Sequence, residues 1–473
     1  MIGEQVEHPH YGRGIVLAAY RSGSEWLVRF ESGLRFRRPR WEFAGQNQVR
    51  QETEAAPPPL PIRPPMPPSQ AKMRRLIEAL RFGVPPSAHL RELTIGLAAE
   101  RESIITALKQ SPEIGGAVRA VLGEYGHGKS HLVELSAQEA LEGGFLVATA
   151  SLDLLELPPH RAFDIYRELM HNLRTPESDE KGLGPLLRRA DKLGLRSRLR
   201  EGARLELEPL TITLEALANT SSLRQQHAWQ SWLMGERRSR QMNKATPRGV
   251  RFPTIYRTGH NARQVAYLLS GISVLARLAG YRGLCVLIDE AESYSLLRAQ
   301  QRPKATLFFA AMIHTAGGGR EAIPESALPQ HRFRHYPTRY GGEQSLFFLF
   351  TITHGENQLP LEEWLAPEEI LLLAPHPNPQ EITAFLQRLQ DYHAQAYGYQ
   401  ATERQGQLRR AAAEHLSLAM KRARLGIRGL VRLSVELFDL AYLHPDYPVV
   451  EMIEELGSQF GASPPAPPAK DES

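Results

Sequence analysis

The apolar positions divide the chain into stretches of different period. Ala117–Leu122, Phe145–Ser151, Leu284–Ile288, Leu346–Ile352 and Ile370–Leu373 are short, nearly unbroken apolar runs. Runs of this length without alternation read as strands covered on both faces, the habit of parallel sheets. Helical patterns lie around them: Met73–Arg81, stopped near Gly83 and Pro85-Pro86, then Ala98–Lys109, a helix from about Lys129, and Arg263–Ala279. Strand and helix in alternation predict an α/β fold with a parallel sheet. Residues 175–257 break the rhythm. They are rich in Leu, Arg and Glu, carry Trp229 and Trp232, and read as mainly helical. From Pro379 to Leu456 the pattern is helical again, as expected of a lid or C-terminal subdomain.

The first 48 residues follow a third pattern. Val6, Ile15–Leu17, Trp26–Phe30 and Leu34–Phe36 form short β-type runs between glycine- and serine-bearing turns, which predicts a small β-barrel. Eight of the twelve residues in Pro57–Pro68 are proline. Proline removes backbone donors and favours the extended polyproline conformation, so this segment reads as a semi-rigid spacer. The expected organisation is a barrel at 1–48, a linker at 49–71, a nucleotide-binding domain at 72–378 with its helical insertion at about 175–257, a helical lid at 379–460, and a disordered tail at 461–473.

Composition narrows the class only a little. A formal charge of +5 permits a polyanionic partner without requiring one. The single cysteine, Cys285, sits inside an apolar run; it excludes an internal disulfide and reads as a small buried hydrophobe. No apolar stretch reaches the roughly 18–20 residues that a membrane helix needs, and the N-terminus lacks a charged-then-apolar leader. The expectation is a soluble cytoplasmic protein that does not engage a membrane.

The chemistry concentrates at Gly123-Glu124-Tyr125-Gly126-His127-Gly128-Lys129-Ser130, a complete G-x-x-x-x-G-K-[ST] run between a predicted strand and a predicted helix. Its glycines let consecutive backbone N–H groups wrap phosphate oxygens, and the helix N-terminus adds partial positive charge. Lys129 is expected at the β- and γ-phosphates, and Ser130 on Mg²⁺. The cofactors so implied are ATP and Mg²⁺. An acidic partner follows at Asp289-Glu290, the end of an apolar strand: Asp289 for the hydrated metal, Glu290 to polarise the attacking water. A solvated helix start, where carboxylates suit the helix dipole, is the plainer reading of the same residues.

Further candidates lie later in the chain. Thr351, Thr353 and His354 end the strand Leu346–Ile352, where a polar group could sense the γ-phosphate; ordinary strand-end residues are the alternative. Arg428 opens a late helix and could reach the nucleotide from the lid, with Arg432 as substitute and a solvent-facing role the alternative for both. No arginine occurs between Thr353 and Pro379, so an intersubunit arginine would have to come from Arg332, Arg334 or Arg339. About 160 residues separate the glycine loop from the acids, more than one strand and two helices require, which marks 175–257 as an insertion. Its Arg188, Arg189, Arg196, Arg198 and Arg200 could face DNA or a protein, or simply solvent.

Three stretches together carry a family likeness: Ala79–Pro86, Gly123–Leu132 and Leu287–Glu292. In this order they resemble the P-loop ATPases of bacterial phage-exclusion (BREX) and related defence islands, the BrxD-like group, which are similar to AAA+ initiator-type ATPases. The Gly-Lys-Ser-His continuation and Asp-Glu-Ala-Glu are the discriminating pieces, and the first of them adds His131 to the expected nucleotide-binding residues. The resemblance implies an ATP-driven component that works with a helicase or other DNA-processing protein. A nucleotide-dependent homo-oligomer is a further expectation for this chain. Separately, Val6–Val16 followed by Trp26–Phe30 resembles the SH3/Tudor-like modules of CarD-type transcription factors. Such modules dock proteins or nucleic acid. Here Arg35, Arg37, Arg38 and Arg40 stand near Phe36, Trp41 and Phe43, a mixture that suits phosphate contacts and base stacking. Protein docking, DNA binding and a purely structural role all remain open for this unit. For the whole chain, a continuously turning ATPase and a slow nucleotide switch or scaffold are the two competing functions.

Overall fold

Each of the long apolar runs becomes a strand of one sheet. The protein is seen in a computed structural model that describes residues 2–8, 11–20, 23–31, 35–43, 66–84, 89–205, 208–236, 240, 261–319, 322–330, 335–353, 359–373, 377–423, 426–448, 451 and 453. The spacer up to Pro65, Pro85-Pro86, residues 241–257 of the insertion, Arg332, Arg334, His354 and the tail fall outside them. Two units result, Met1–Met66 and Pro67–Ser473.

In the first unit, β1 (Gln5–His8), β2 (Gly12–Tyr20), β3 (Glu25–Phe30) and β4 (Arg35–Pro39) form an antiparallel sheet in chain order. Val16, Trp26, Val28 and Phe30 alternate onto its buried face. The expected barrel is corrected to an open sheet: among the described residues no ladder joins β4 back to β1. The apolar face is covered instead by a 3-10 turn, Arg40–Phe43, whose Phe43 ring stacks on Trp26 at 5.8 Å. His8 bonds to Glu42 of that turn at 3.0 Å.

The second unit is built on β5 (Gly116–Leu122), β6 (Leu146–Ser151), β7 (Leu284–Asp289), β8 (Leu346–Ile352) and β9 (Ile370–Leu372). All neighbours are parallel, in the order β6-β7-β8-β5-β9. Period-2 geometry sends alternate residues to opposite faces. Val118, Val286, Phe348 and Phe350 enter one core, while Val121, Leu287, Phe347 and Leu349 enter the other. Both faces are therefore dry, which is why the strands are continuous in hydrophobicity. Helices α2 (Ala98–Ile114) and α3 (Lys129–Glu142) supply the second core.

The first core is larger. It takes in α4 (Ala162–His171), α5 (Gly184–Lys192), α6 (Arg196–Glu201), α7 (Pro209–Ala218), α8 (Leu223–Leu233), α9 (Asn261–Leu278) and α10 (Arg302–Ala316). The helical insertion is thus not an appendage: Leu186, Leu199, Leu214, Trp229 and Trp232 are buried in the core of the sheet. Four of the five arginines considered above as a DNA- or protein-facing set are paired within the chain. Arg188 pairs with Glu180, Arg189 with Glu177, Arg196 with Asp191 and Arg200 with Glu215.

Glu208, the N-cap of α7, is buried there and accepts from Tyr267 Oη at 2.5 Å. Burial pushes its carboxyl up to about 7, against the opposing effect of that bond. A folded-state value above the unfolded one stabilises the fold fully below about pH 4.5, and that contribution is lost as pH rises through about 7. Melting temperature should therefore fall between those limits, and Glu208→Gln should flatten this part of the profile. A wild-type profile with no fall across that range would refute the buried, neutral acid.

Beyond the sheet, a single-turn helix α11 (Leu361–Trp364) precedes β9, and α12 (Pro379–Tyr397), α13 (Glu403–Ala423) and α14 (Ile427–Leu443) follow it. α12 begins with a reciprocal capping box: Asn378 Oδ1 accepts from Glu381 N at 2.9 Å, and Glu381 Oε2 accepts from Asn378 N at 2.8 Å. Residues 68–71, expected in the linker, are the first turn of α1 (Pro68–Arg81). This helix does not join the sheet. Met73, Leu76, Ile77 and Leu80, at helical spacing, pack with Phe385, Leu389, Leu433 and Phe438 of the C-terminal helices. Arg81 on α1 also donates to Asp439 at 2.7 Å, and His393 bonds to the same carboxylate at 3.1 Å.

Candidate functional site

In an open parallel sheet the ligand crevice lies outside the carboxyl ends of the strands, where strand order reverses. Here β5 leads to β6 at the far edge, and the chain then returns through β7 to β8. The carboxyl ends of β5, β8 and β7 therefore lie side by side, and each carries one part of the expected chemistry.

From β5, the loop Gly123–Ser130 enters α3. Gly126 and Gly128 hold φ of 83° and 91°, left-handed values that a side chain would strain. They turn the loop so that Lys129, first residue of α3, is 7% exposed. Its Nζ donates to Gly123 O at 2.9 Å, Glu124 O at 3.2 Å and Thr353 Oγ1 at 2.7 Å. An ammonium has three hydrogens, and these three acceptors use them all.

From β7 come Asp289 and Glu290. Asp289 Oδ1 accepts from Thr351 Oγ1 at 2.6 Å and from Glu290 N at 3.0 Å. These bonds orient the carboxylate. Glu290 has φ 58°, a left-handed value for a residue with a side chain, and its N–H also donates to Thr351 Oγ1 at 3.1 Å. Partial burial raises its carboxyl above the ordinary range, helped by the neighbouring Asp289 and Glu292 charges. β8 lies between β5 and β7, so Thr351 and Thr353 stand between the lysine and the acids.

The C-terminal helices, expected as a lid, close one side. Ile427 N at the start of α14 donates to Gly126 O at 2.8 Å. Arg428 donates to Tyr125 Oη at 3.0 Å, with its guanidinium 5.7 Å from that ring's centroid. This approach needs Gly426: a Cβ there would stand 2.8 Å from Gly126 O and 3.1 Å from Gly126 Cα. Gly426→Ala is therefore expected to part the lid from the glycine loop and weaken nucleotide binding by about tenfold, the equivalent of one lost charge-independent contact set. Titration calorimetry with MgATP checks it, and unaltered affinity counts against the lid's part in binding.

Together these elements enclose an open cavity. Its polar end is formed by Lys129, Ser130, Asp289, Glu290 and Glu292, and its apolar end includes Leu80, Ile95, Leu97 and Val431. A ligand with an anionic end and a flat apolar end fits such a lining. His131 lines it too, its Nε2 bonded to Thr94 Oγ1 at 2.8 Å; burial lowers its pKa to about 4, so the imidazole is neutral at pH 7. Ser130 and the second oxygen of Asp289 are hard oxygen donors, the chemistry Mg²⁺ prefers while it keeps several waters. A purely protein-built metal cage is absent among the described residues.

Of the expected residues, the cavity lining brings together Tyr125, Gly126, Gly128, Lys129, Ser130, His131, Asp289, Glu290 and Arg428. Gly123 and Glu124 hold Lys129 through their carbonyls, Thr353 through its hydroxyl, and His127 shapes the loop by donating its N–H to Glu124 O at 3.2 Å. Arg432 is not in the lining. Arg339 lies before β8, at the opposite end of the sheet, where it donates to Gly318 O at 2.6 Å; it cannot reach this cavity in its own chain. Sequence reasoning missed Glu292 as a site residue, although the Asp-Glu-Ala-Glu run contained it.

A glycine loop between strand and helix, facing carboxylates across one intervening strand, defines a P-loop nucleoside-triphosphate-binding fold. Residues 69–189 match the model of the family described as BREX system ATP-binding protein BrxC/D, in agreement with the motif resemblance. No curated protein matches the chain. Among solved structures, the Walker-type ATPase of Pyrococcus abyssi is similar at 13% identity, over 77% of this chain and 71% of that one, with a TM-score of 0.36. No helix among the described residues is long and apolar enough to cross a membrane.

Proposed function

We propose that the chain binds and hydrolyses ATP as an AAA+-like component of BREX-type or related anti-phage defence in the cytoplasm. The observation that carries this reading is the meeting of Lys129, Thr353, Asp289 and Glu290 at adjoining strand ends, beside a cavity closed by Arg428. In it, backbone N–H groups of Gly126–Ser130 and the Lys129 ammonium bind the phosphates. Ser130 and Asp289 hold Mg²⁺, which when bound offsets phosphate charge. Glu290 takes a proton from water as the water oxygen bonds to the γ-phosphorus and the bridging P–O bond to ADP breaks. Arg428 stabilises phosphate charge from the lid, and neutral His131 lies at the inner wall near the loop.

The expected partners are a helicase or other DNA-processing protein of the same system. Of the candidate DNA-facing set Arg188, Arg189, Arg196, Arg198 and Arg200, four are paired with acids of the insertion, which lowers their part in DNA binding. In the N-terminal unit Arg37 pairs with Glu25 at 2.6 Å, Arg38 donates to Tyr11 at 2.7 Å and Arg40 lies over Trp26 at 5.1 Å, while Trp41 is 73% exposed. That distribution favours a protein-docking module over a phosphate-binding one.

A second reading, a slow nucleotide switch, is favoured by the place of Arg339, which donates to Gly318 O at the end of the sheet opposite the cavity. Steady-state ATPase rates with single- and double-stranded DNA, followed together with oligomer size, separate the two. Rapid DNA-stimulated turnover in nucleotide-dependent oligomers supports the motor, near-zero turnover by a monomer supports the switch, and absence of nucleotide binding refutes both.

A further inference from the structure

The cavity contains an acid that the hydrolytic scheme leaves unused. Glu292 sits on the 3-10 turn Ala291–Tyr294, which is anchored by buried Ala291 and by Tyr294, whose hydroxyl bonds to Thr306 at 2.9 Å. Ser295 Oγ donates to Glu292 O at 2.7 Å and holds the backbone as well. The turn separates the two glutamates. Glu290 faces Ser151 at the end of β6, on the β6 side of the cavity that both acids line. Glu292 points the other way: its Oε1 accepts from Thr353 Oγ1 at 3.0 Å and lies 3.8 Å from Lys129 Nζ. Its Oε2 is shielded from solvent and has no hydrogen-bond partner. An orphaned carboxylate oxygen is costly, so hydrogen bonding alone does not explain this placement.

The direction of the bonds is informative. Lys129 donates to Thr353 Oγ1, so the single hydrogen of that hydroxyl passes on to Glu292. Both donors suited to a γ-phosphate are therefore committed toward one carboxylate. A phosphate oxygen can only accept. To be bound it must draw Lys129 and Thr353 from Glu292 and then lie close to that negative charge. A diphosphate, ending one phosphate earlier, can engage Lys129 without bringing a third phosphate against Thr353 and the Glu292 charge.

We propose that Glu292 is a positioning residue that sets discrimination between nucleoside triphosphate and diphosphate, by holding Lys129 and Thr353 ready and opposing the third phosphate with its charge. After cleavage the same charge favours departure of phosphate and return of the two donors. This rests on the cavity being the nucleotide site.

The test is equilibrium binding of MgATP and MgADP to the full chain and to Glu292→Gln and Glu292→Asp. Glu292→Gln should tighten MgATP about tenfold and MgADP less than about twofold, the asymmetry expected of one like charge removed near the third phosphate in a partly screened site. Glu292→Asp keeps the charge and should hold the ATP-to-ADP ratio within about twofold of wild type; it also serves if the glutamine variant fails to fold. Equal effects on both nucleotides, or weaker MgATP binding by Glu292→Gln, would overturn the proposal and leave the nucleotide site standing. No binding of either nucleotide by the wild-type chain would remove the site itself, and this inference with it.

Discussion

Lys129→Ala should lower affinity for MgATP by about 100-fold or more. The ammonium directs all three of its donors into the glycine loop and the end of β8. Charge-assisted bonds contribute about 1.5–3 kcal/mol each, and two of them to phosphate oxygens already amount to two or more decades in affinity. The change has a second effect. It leaves the carbonyls of Gly123 and Glu124 without their shared donor and takes the positive charge from beside Glu292. Lys129→Met, which retains most of the volume, separates loss of charge from loss of packing. Titration calorimetry reads both, and unchanged affinity in either variant would place the phosphates elsewhere.

Turnover should respond most to Glu290→Gln. A positioned general base contributes about 10²–10⁴-fold, so kcat should fall by that order while MgATP affinity stays within about threefold of wild type. The raised carboxyl suits the role, because a base poised closer to neutrality accepts a proton more readily than an ordinary carboxylate. Glutamine preserves the left-handed backbone as well as glutamate does, so a large drop cannot be assigned to strain. Equal turnover by wild type and variant would remove Glu290 from the chemistry and make Glu292 the next acid to test.

The strands were legible because both faces of the sheet are buried: five apolar runs became five parallel strands with ends shifted by one residue or so. The glycine loop was legible because its spacing is itself the geometry. What the sequence withheld is lateral order. Nothing in Leu346–Ile352 announces that β8 lies between β5 and β7, and only that position brings Thr353 to Lys129. Glu292 was invisible for a related reason, since its direction depends on a 3-10 turn that opposes it to Glu290. The expected barrel followed turn spacing, which reports strand number but not closure. The basic content of the insertion suggested a polyanion-binding face, yet acids of the same segment pair with Arg188, Arg189, Arg196 and Arg200.

The helix α1 shares its core with α12, α13 and α14, so the lid is made from chain on both sides of the sheet domain. Two covalent crossings therefore join lid to sheet, one after α1 and one before α12. A body on one tether can swivel freely; a body on two can only swing about the line between them. Any movement that follows the Gly126–Ile427 bond is thereby given an axis, and the same segment that begins at Pro67 moves with it.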